Sequence, residues 1–318
     1  MNLFKNTFIG MLIIWGASFT SCESKFDVGN FEFGEIEEPN NNTTISYSEY
    51  APDSRAPATY SGYSLVWNEE FDVDAASVNP NDWNLEQGFK RNEELQWYQD
   101  NTTVKNHTLI IEARKETVQN PNHDPSSNDW KKKRATAAFT SSSVTTRGKH
   151  SWKYGRIEVR AKIPTQKGAW PAIWTLGTNG EWPSSGEIDI LEFYIKNGKP
   201  SILANFAWGT QQRWNGAWDG YSKPLNEFIA NDQDWVNKFH VWRMDWDANN
   251  ISIYLDDVFL NSHSTQQKNA TTNFGGVLKP FEQKHHLLLN LAIGSNGGNP
   301  TGTEFPLQYI IDYVRVYQ

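Results

Sequence analysis

Apolar residues recur at every second position through much of this chain. In R-I-E-V-R-A-K-I, Ile157, Val159, Ala161 and Ile163 fall on one face of an extended segment, and Arg156, Glu158, Arg160 and Lys162 fall on the other. In I-S-I-Y-L-D-D, Ile251, Ile253 and Leu255 alternate with Ser252, Tyr254 and Asp256, and Asp256-Asp257 marks a turn. The run H-H-L-L-L-N-L-A-I-G is, past its two histidines, continuously apolar except for Asn290, as a strand covered on both faces would be. The chain closes on I-I-D-Y-V-R-V-Y. A period of two belongs to strands, because successive side chains point to opposite faces. Asn179-Gly180, Gly297-Gly298 and Asn299-Pro300 supply turns between the runs, and no long amphipathic helix interrupts them. The pattern predicts an all-β chain folded as an antiparallel β-sandwich.

The 318 residues suffice for one large domain or two small ones, and no fixed-period repeat divides them. Residues 1–22 read as an export signal: Lys5 gives a short basic start, and residues 8–15 form an apolar stretch too brief to span a bilayer. Cys22 follows small residues at the end of that stretch and is the only cysteine, so no disulfide can form within the chain. Its setting resembles a bacterial lipobox, in which the thiol is acylated. That resemblance implies a lipid anchor at Cys22 and an address in the cell envelope, as an outer-membrane lipoprotein facing the surface or the periplasm. Residues 23–59 are rich in Pro, Asn, Ser, Thr and acid, and are expected to form a disordered tether. The folded domain is expected over residues 60–318, as a monomer.

Charge bears on partners. A net charge of −8 and the lack of a Lys/Arg stripe argue against nucleic acid. The 15 Trp exceed what a core requires and offer stacking surfaces. Trp67, Trp83, Trp242 and Trp246 are assigned to the core.

The chemistry is expected in S-G-E-I-D-I-L-E-F-Y, residues 185–194. Glu187 and Asp189 share a face of a regular strand, which would throw Glu192 to the opposite one. One extra residue at Ile190-Leu191, a β-bulge, shifts the parity and puts all three acids on one face. Carboxylates so close cannot all ionise comfortably, and at least one holds its proton. A retaining glycosidase uses that pattern: an ionised carboxylate attacks the anomeric carbon, and a protonated one about 5–5.5 Å away serves the leaving oxygen. Glu187 and Glu192 suit the pair, with Asp189 bonded to Glu187 between them. The competing readings are a solvated acidic face and a calcium site. The surrounding aromatics disfavour the first, and a strand presents calcium ligands poorly.

The motif E-I-D-I-L-E resembles the active-site signature of glycoside hydrolase family 16 in its bulged form, found in laminarinases, many β-glucanases and agarases. L-V-W-N-E-E-F-D, Y-G-R-I-E-V-R-A-K-I-P, G-A-W-P-A-I-W-T-L-G, F-H-V-W-R-M-D-W and I-D-Y-V-R-V-Y-Q also match, in family order. The resemblance implies a concanavalin-like jelly roll with a substrate cleft across the concave sheet. It implies Glu187 as nucleophile, Asp189 as helper and Glu192 as acid/base, with Trp170, Trp174 and Trp182 lining the cleft. It places Asn92, Trp97 and Asn290 against sugars, with Gln283 and Arg160 as further candidates. Catalysis needs no cofactor. The family's structural calcium would map to Glu70 and Asp312 with a backbone carbonyl near His107.

One segment departs from the common laminarinase pattern. L-A-N-F-A-W-G stands where many members carry a His, and brings Asn205 and Trp208 as candidates. An aromatic loop with Trp214, Trp218 and Tyr221 follows and is placed on the leaving-group side. The expected activity is retaining endo-hydrolysis of β-1,3 or mixed β-1,3/1,4 glucan. The alternatives are an agarase- or carrageenase-like enzyme, for which more basic residues near the cleft would be expected, and a non-catalytic glycan-binding lipoprotein.

Overall fold

The computed structural model describes residues 48–275 and 277–318, and two large antiparallel sheets carry them. The signal sequence, Cys22 and the first part of the expected tether lie outside the described residues. The outer sheet runs Val258–Ser264, Asn250–Leu255, His240–Trp246, Gly155–Lys162, Leu307–Tyr317, Thr108–Ala113 and Thr102–Lys105, and Leu65–Glu69 also pairs with Leu307–Tyr317. The second sheet runs Gly216–Pro224, Lys199–Gly209, Glu187–Lys196, Ala169–Gly177, His285–Ile293, Ser143–Thr145 and Asn84–Leu85. The all-β sandwich read from the alternation is the fold observed.

The alternation works as expected on the inner faces. Ile157, Val159, Met244 and Ile253 of the outer sheet join Ile188, Leu191, Phe206 and Leu289 of the second in one core. Full burial of each such side chain contributes about 1.5–3 kcal/mol. Trp83, Trp242 and Trp246 are buried in this core and Trp67 packs against it. Every residue of His285–Ile293 is buried, as its near-continuous apolar run requires.

The outward face of Gly155–Lys162 corrects the expected domain boundary. Glu158 and Arg160 point away from the core yet are buried, because residues 48–60 lie across them. Arg160 donates to the carbonyls of Ser48 (3.1 Å) and Ala51 (3.0 Å), and Tyr60 donates its hydroxyl to Glu158 at 2.7 Å. The Asp53 amide donates to Asp312 at 2.9 Å, and Arg315 to the Arg55 carbonyl at 3.2 Å. The folded unit therefore takes in residues 48–59, which were expected to be tether. Buried charges need partners, and this segment supplies them.

Two site expectations also fail on this sheet. Arg160 is fully buried against Asp312 and Phe239, on the sheet opposite the cleft, and cannot touch a sugar. Glu70 accepts a fork from Arg315 at 2.9 and 2.8 Å, and Asp312 is paired with Arg160. Each carboxylate proposed for calcium is already neutralised by its own guanidinium. With both carboxylates paired in this way, these residues do not fit the cation.

Candidate active site

The second sheet carries a cleft of about 1020 Å³, and the Glu187–Lys196 strand crosses its floor. Gly186, with φ near 81°, leads into that strand, and an added Cβ would lie 2.8 Å from Pro280. From Asp189 to Glu192 the strand spends one residue more than its neighbours. Asp189 pairs with Asn205 and Glu192 with Leu203 on one side; Asp189 pairs with Trp174 and Glu192 with Ala172 on the other. This is the expected bulge. Ile190 and Leu191 are both fully buried, and Glu187, Asp189 and Glu192 all line the cleft.

Each outer carboxylate is held by an indole. Trp182 donates to Glu187 at 2.6 Å, and Trp170 donates to Glu192 at 3.0 Å. Asn205 donates to the other oxygen of Glu192 at 2.8 Å. Asp189 is the buried member, and its Oδ2 has no hydrogen-bond partner. An anionic oxygen left without a donor there is costly, whereas a neutral carboxylic acid is tolerated. Burial pushes Asp189 well above the usual carboxylate range, and the charges of Glu187 and Glu192 push it further. Burial raises Glu192 to about 7, helped by the charge of Glu187. Burial also raises Glu187, but hydrogen bonds from Trp182 and Asp189 and the nearby Arg91 cation oppose it. Burial thus acts on both outer carboxylates, but on Glu187 two hydrogen bonds and a cation favour the ionised form, whereas on Glu192 the neighbouring negative charge adds to burial in favour of the protonated form.

The profile of the Glycosyl hydrolases family 16 matches residues 89–315. The chain belongs to glycosyl hydrolase family 16. The glucan endo-1,3-β-glucosidase A1 of Niallia circulans is 32% identical over 278 residues, which cover 81% of this chain but only 38% of that relative's length. Among solved structures, the laminarinase catalytic domain of Thermotoga maritima superposes with a TM-score of 0.64 at 34% identity, covering 80% of this chain and 98% of its own. A chain from work on human gut microbiota whose endo-acting O-glycanases initiate mucin breakdown superposes with a TM-score of 0.72 at 31% identity, covering 83% and 94%.

Within this family 16 cleft, most expected sugar contacts come together. Asn92, Trp170, Trp174, Trp182, Asn205 and Asn290 line it, and the exposed Trp214 and Trp218 stand at its rim. Asn290 accepts from the Trp174 indole at 2.7 Å and donates to the Tyr98 hydroxyl at 3.1 Å, so it fixes that ring in place. Besides Arg160, three expected contacts, and the loop residue Tyr221, lie elsewhere. Trp97 packs under the loop against Phe89 and Gly88. Trp208 stacks on His263 at 4.8 Å on the core side, and Tyr221 also packs against the core. Gln283 is buried, bonding the Asn179 amide at 2.8 Å and the Ser185 carbonyl at 2.7 Å, so it holds the turn before the catalytic strand.

Several lining residues were not anticipated. Tyr194 and Lys196 line the cleft because the shifted parity after the bulge continues through Glu192, and the sequence carried that signal. Arg91 lies 5.1 Å over the Trp174 ring and 5.6 Å over the Tyr98 ring, and forks Glu86. Trp130 and Lys131 arrive on the short helix Trp130–Lys133. No sequence period announces that helix; Arg134 docks it by donating to the carbonyls of Glu93 and Glu94.

Proposed function

We propose that this protein is a retaining endo-glycosidase acting on β-1,3 or mixed β-1,3/1,4 glucan, with Glu187 as nucleophile and Glu192 as acid/base. The observation that carries this reading is the bulge, which presents both outer carboxylates and the buried Asp189 on one face of a cleft walled by Trp. Membership of family 16 and the likeness to an endo-1,3-β-glucosidase support it.

The chemistry follows from the environments. The Glu187 carboxylate attacks the anomeric carbon, and Glu192 gives its proton to the departing glycosidic oxygen, leaving a glycosyl ester on Glu187. Glu192, now ionised, takes a proton from water as that water attacks the same carbon, and Glu187 leaves as carboxylate. Asp189 keeps its proton and donates to Glu187, which steadies the charge that returns there. A non-catalytic protein has no use for this arrangement.

Glu187→Gln keeps the shape and removes the attacking oxygen anion. Turnover is expected to be lost while binding persists; near-normal turnover would end the assignment. Initial rates on equal masses of pure polymers test the substrate. The expected order is mixed-linkage β-glucan, then laminarin, with none on cellulose, xylan or agarose, because a β-1,3 bond kinks the chain where Trp214 and Trp218 crowd the cleft. A second reading, cleavage of mucin O-glycans, is favoured by the higher TM-score of the gut-microbiota neighbour. Mucin glycans cleaved faster than either glucan would replace the first reading and leave the mechanism in place.

The cell-envelope address rests on the sequence around Cys22. Cys22→Ala is expected to release or misprocess the protein without changing the specific activity of the purified domain. Unchanged membrane fractionation would show that Cys22 is not the anchor.

A further inference from the structure

The charges lining the cleft run against those of the chain. The whole sequence carries a net charge of −8, with 29 Lys and Arg against 37 Asp and Glu. Outside the three catalytic-strand carboxylates, the cleft is lined by Lys90, Arg91, Lys131 and Lys196 and by a single acid, Glu94. Arg91 is already committed: it forks Glu86 and lies 3.9 Å from Glu94. The three lysines are not, for among the described residues none of them forms an ion pair. Glu86, an acid near Lys90, is already taken up by Arg91 and Ser143.

All three lysines line the cleft. Lys196 follows Glu192 and Tyr194 on the catalytic strand, about 13 Å past Glu192 at strand rise. The register of the sheet places Ala169 and Ile293 at that same end of the cleft, and the Leu95 amide bonds the Ile293 carbonyl at 2.8 Å. The loop of residues 88–94, with Lys90, therefore leads directly into a residue anchored at the Lys196 end. Lys131 stands beside it on the helix that Arg134 clamps, its guanidinium 4.7 Å over Trp130 and 5.3 Å over Phe89. The opposite lip, around Trp182, Trp214 and Trp218, is aromatic.

A neutral glucan offers an ammonium group only hydroxyls. An anionic substituent offers charge-assisted hydrogen bonds, and a cleft wall of one sign raises the local concentration of the opposite one. We propose that the lip formed by Lys90, Lys131 and Lys196 binds an anionic substituent on the sugar chain, a sulfate ester or a carboxylate. The proposal rests on the reading of the cleft as an endo-glucanase site.

The test uses the Glu187→Gln protein, so that binding is read without turnover. Its affinity is measured by calorimetry for laminarin, partially sulfated laminarin and carboxymethylated laminarin of matched length. Tighter binding of an anionic polymer by about tenfold at low ionic strength is expected, falling as salt is added. Tightening by sulfated polymer alone identifies a sulfate ester; tightening by both identifies a site for either anion. The preference is expected to collapse in the background carrying Lys90→Gln, Lys131→Gln and Lys196→Gln, with an unchanged melting curve showing that the variant is folded. Equal affinity for all three polymers, no binding of any, or a preference that survives the three substitutions would overturn the proposal. Hydrolysis of unmodified laminarin by the wild-type protein separates the two failures: cleavage without an anion preference sinks only the lysine lip, whereas no cleavage sinks the glucanase reading.

Discussion

At the residue scale, protonation is divided among three acids that differ little in chemistry and much in surroundings. Asp189 is deepest and has an oxygen without a donor, Glu192 faces the charge of Glu187, and the Arg91 cation acts on Glu187. The reaction needs Glu192 protonated and Glu187 ionised, which fixes the sign of the pH dependence. With Glu192 at about 7, kcat/KM is expected to fall as pH rises through that value and Glu192 loses its proton. It is expected to fall at the acid end as Glu187 gains one. The measurement is kcat/KM on a soluble glucan against pH. A profile with no alkaline limb in the neutral range would show that Glu192 is not the acid.

At the scale of elements, the bulge does what no side chain could do alone, and the neighbouring strand completes it. Asn205 pairs with Gly220 in the register of Lys199–Gly209 against Gly216–Pro224. A Cβ on Gly220 would lie 2.7 Å from Asn205 Oδ1. That contact is with a movable side-chain end, so Gly220→Ala is expected to leave the strand paired and displace the Asn205 amide. Its hydrogen bond to Glu192 would be lost. Removing one such donor to a charged or proton-sharing group costs about 1.5–3 kcal/mol, so kcat is expected to drop roughly tenfold or more with little change in melting temperature. Parallel losses of activity and stability would mean that Gly220 matters to the sheet and not to Glu192.

At the scale of the whole molecule, one sheet does chemistry and the other is sealed by the chain's own leading segment. Residues 48–60 cover a buried polar layer of Glu158, Arg160, Asp312 and Arg315. A chain beginning at Tyr60 lacks the carbonyls of Ser48 and Ala51 that Arg160 uses, and uncovers the Arg160–Asp312 pair. Breaking a buried pair costs about 3–5 kcal/mol, so Asp312→Ala is expected to lower the midpoint of urea unfolding markedly. The chain beginning at Tyr60 is expected to be less stable than one beginning at Ser46, with the same kcat once folded. Equal unfolding midpoints would restore the boundary at Tyr60 and make residues 48–59 tether after all.

The sequence by itself determined what depends on neighbours along one strand. Alternation gave the sandwich and its core, and the one-then-two spacing of Glu187, Asp189 and Glu192 gave the bulge, because side-chain parity is a local property of extended backbone. Continued past the bulge, the same parity would have given Tyr194 and Lys196. Applied to Asn205, it would have excluded Trp208, three positions away and therefore on the other face. Only the tertiary structure decided what covers each face. Arg160 alternates outward like a surface residue and is sealed by a segment more than a hundred positions earlier in the chain. Arg91, Trp130 and Lys131 meet the catalytic strand through loops whose docking rests on Arg134, Glu86 and the Ile293 carbonyl. Such contacts leave no period in the sequence, because the residues that make them become neighbours only when the two sheets close on a common core.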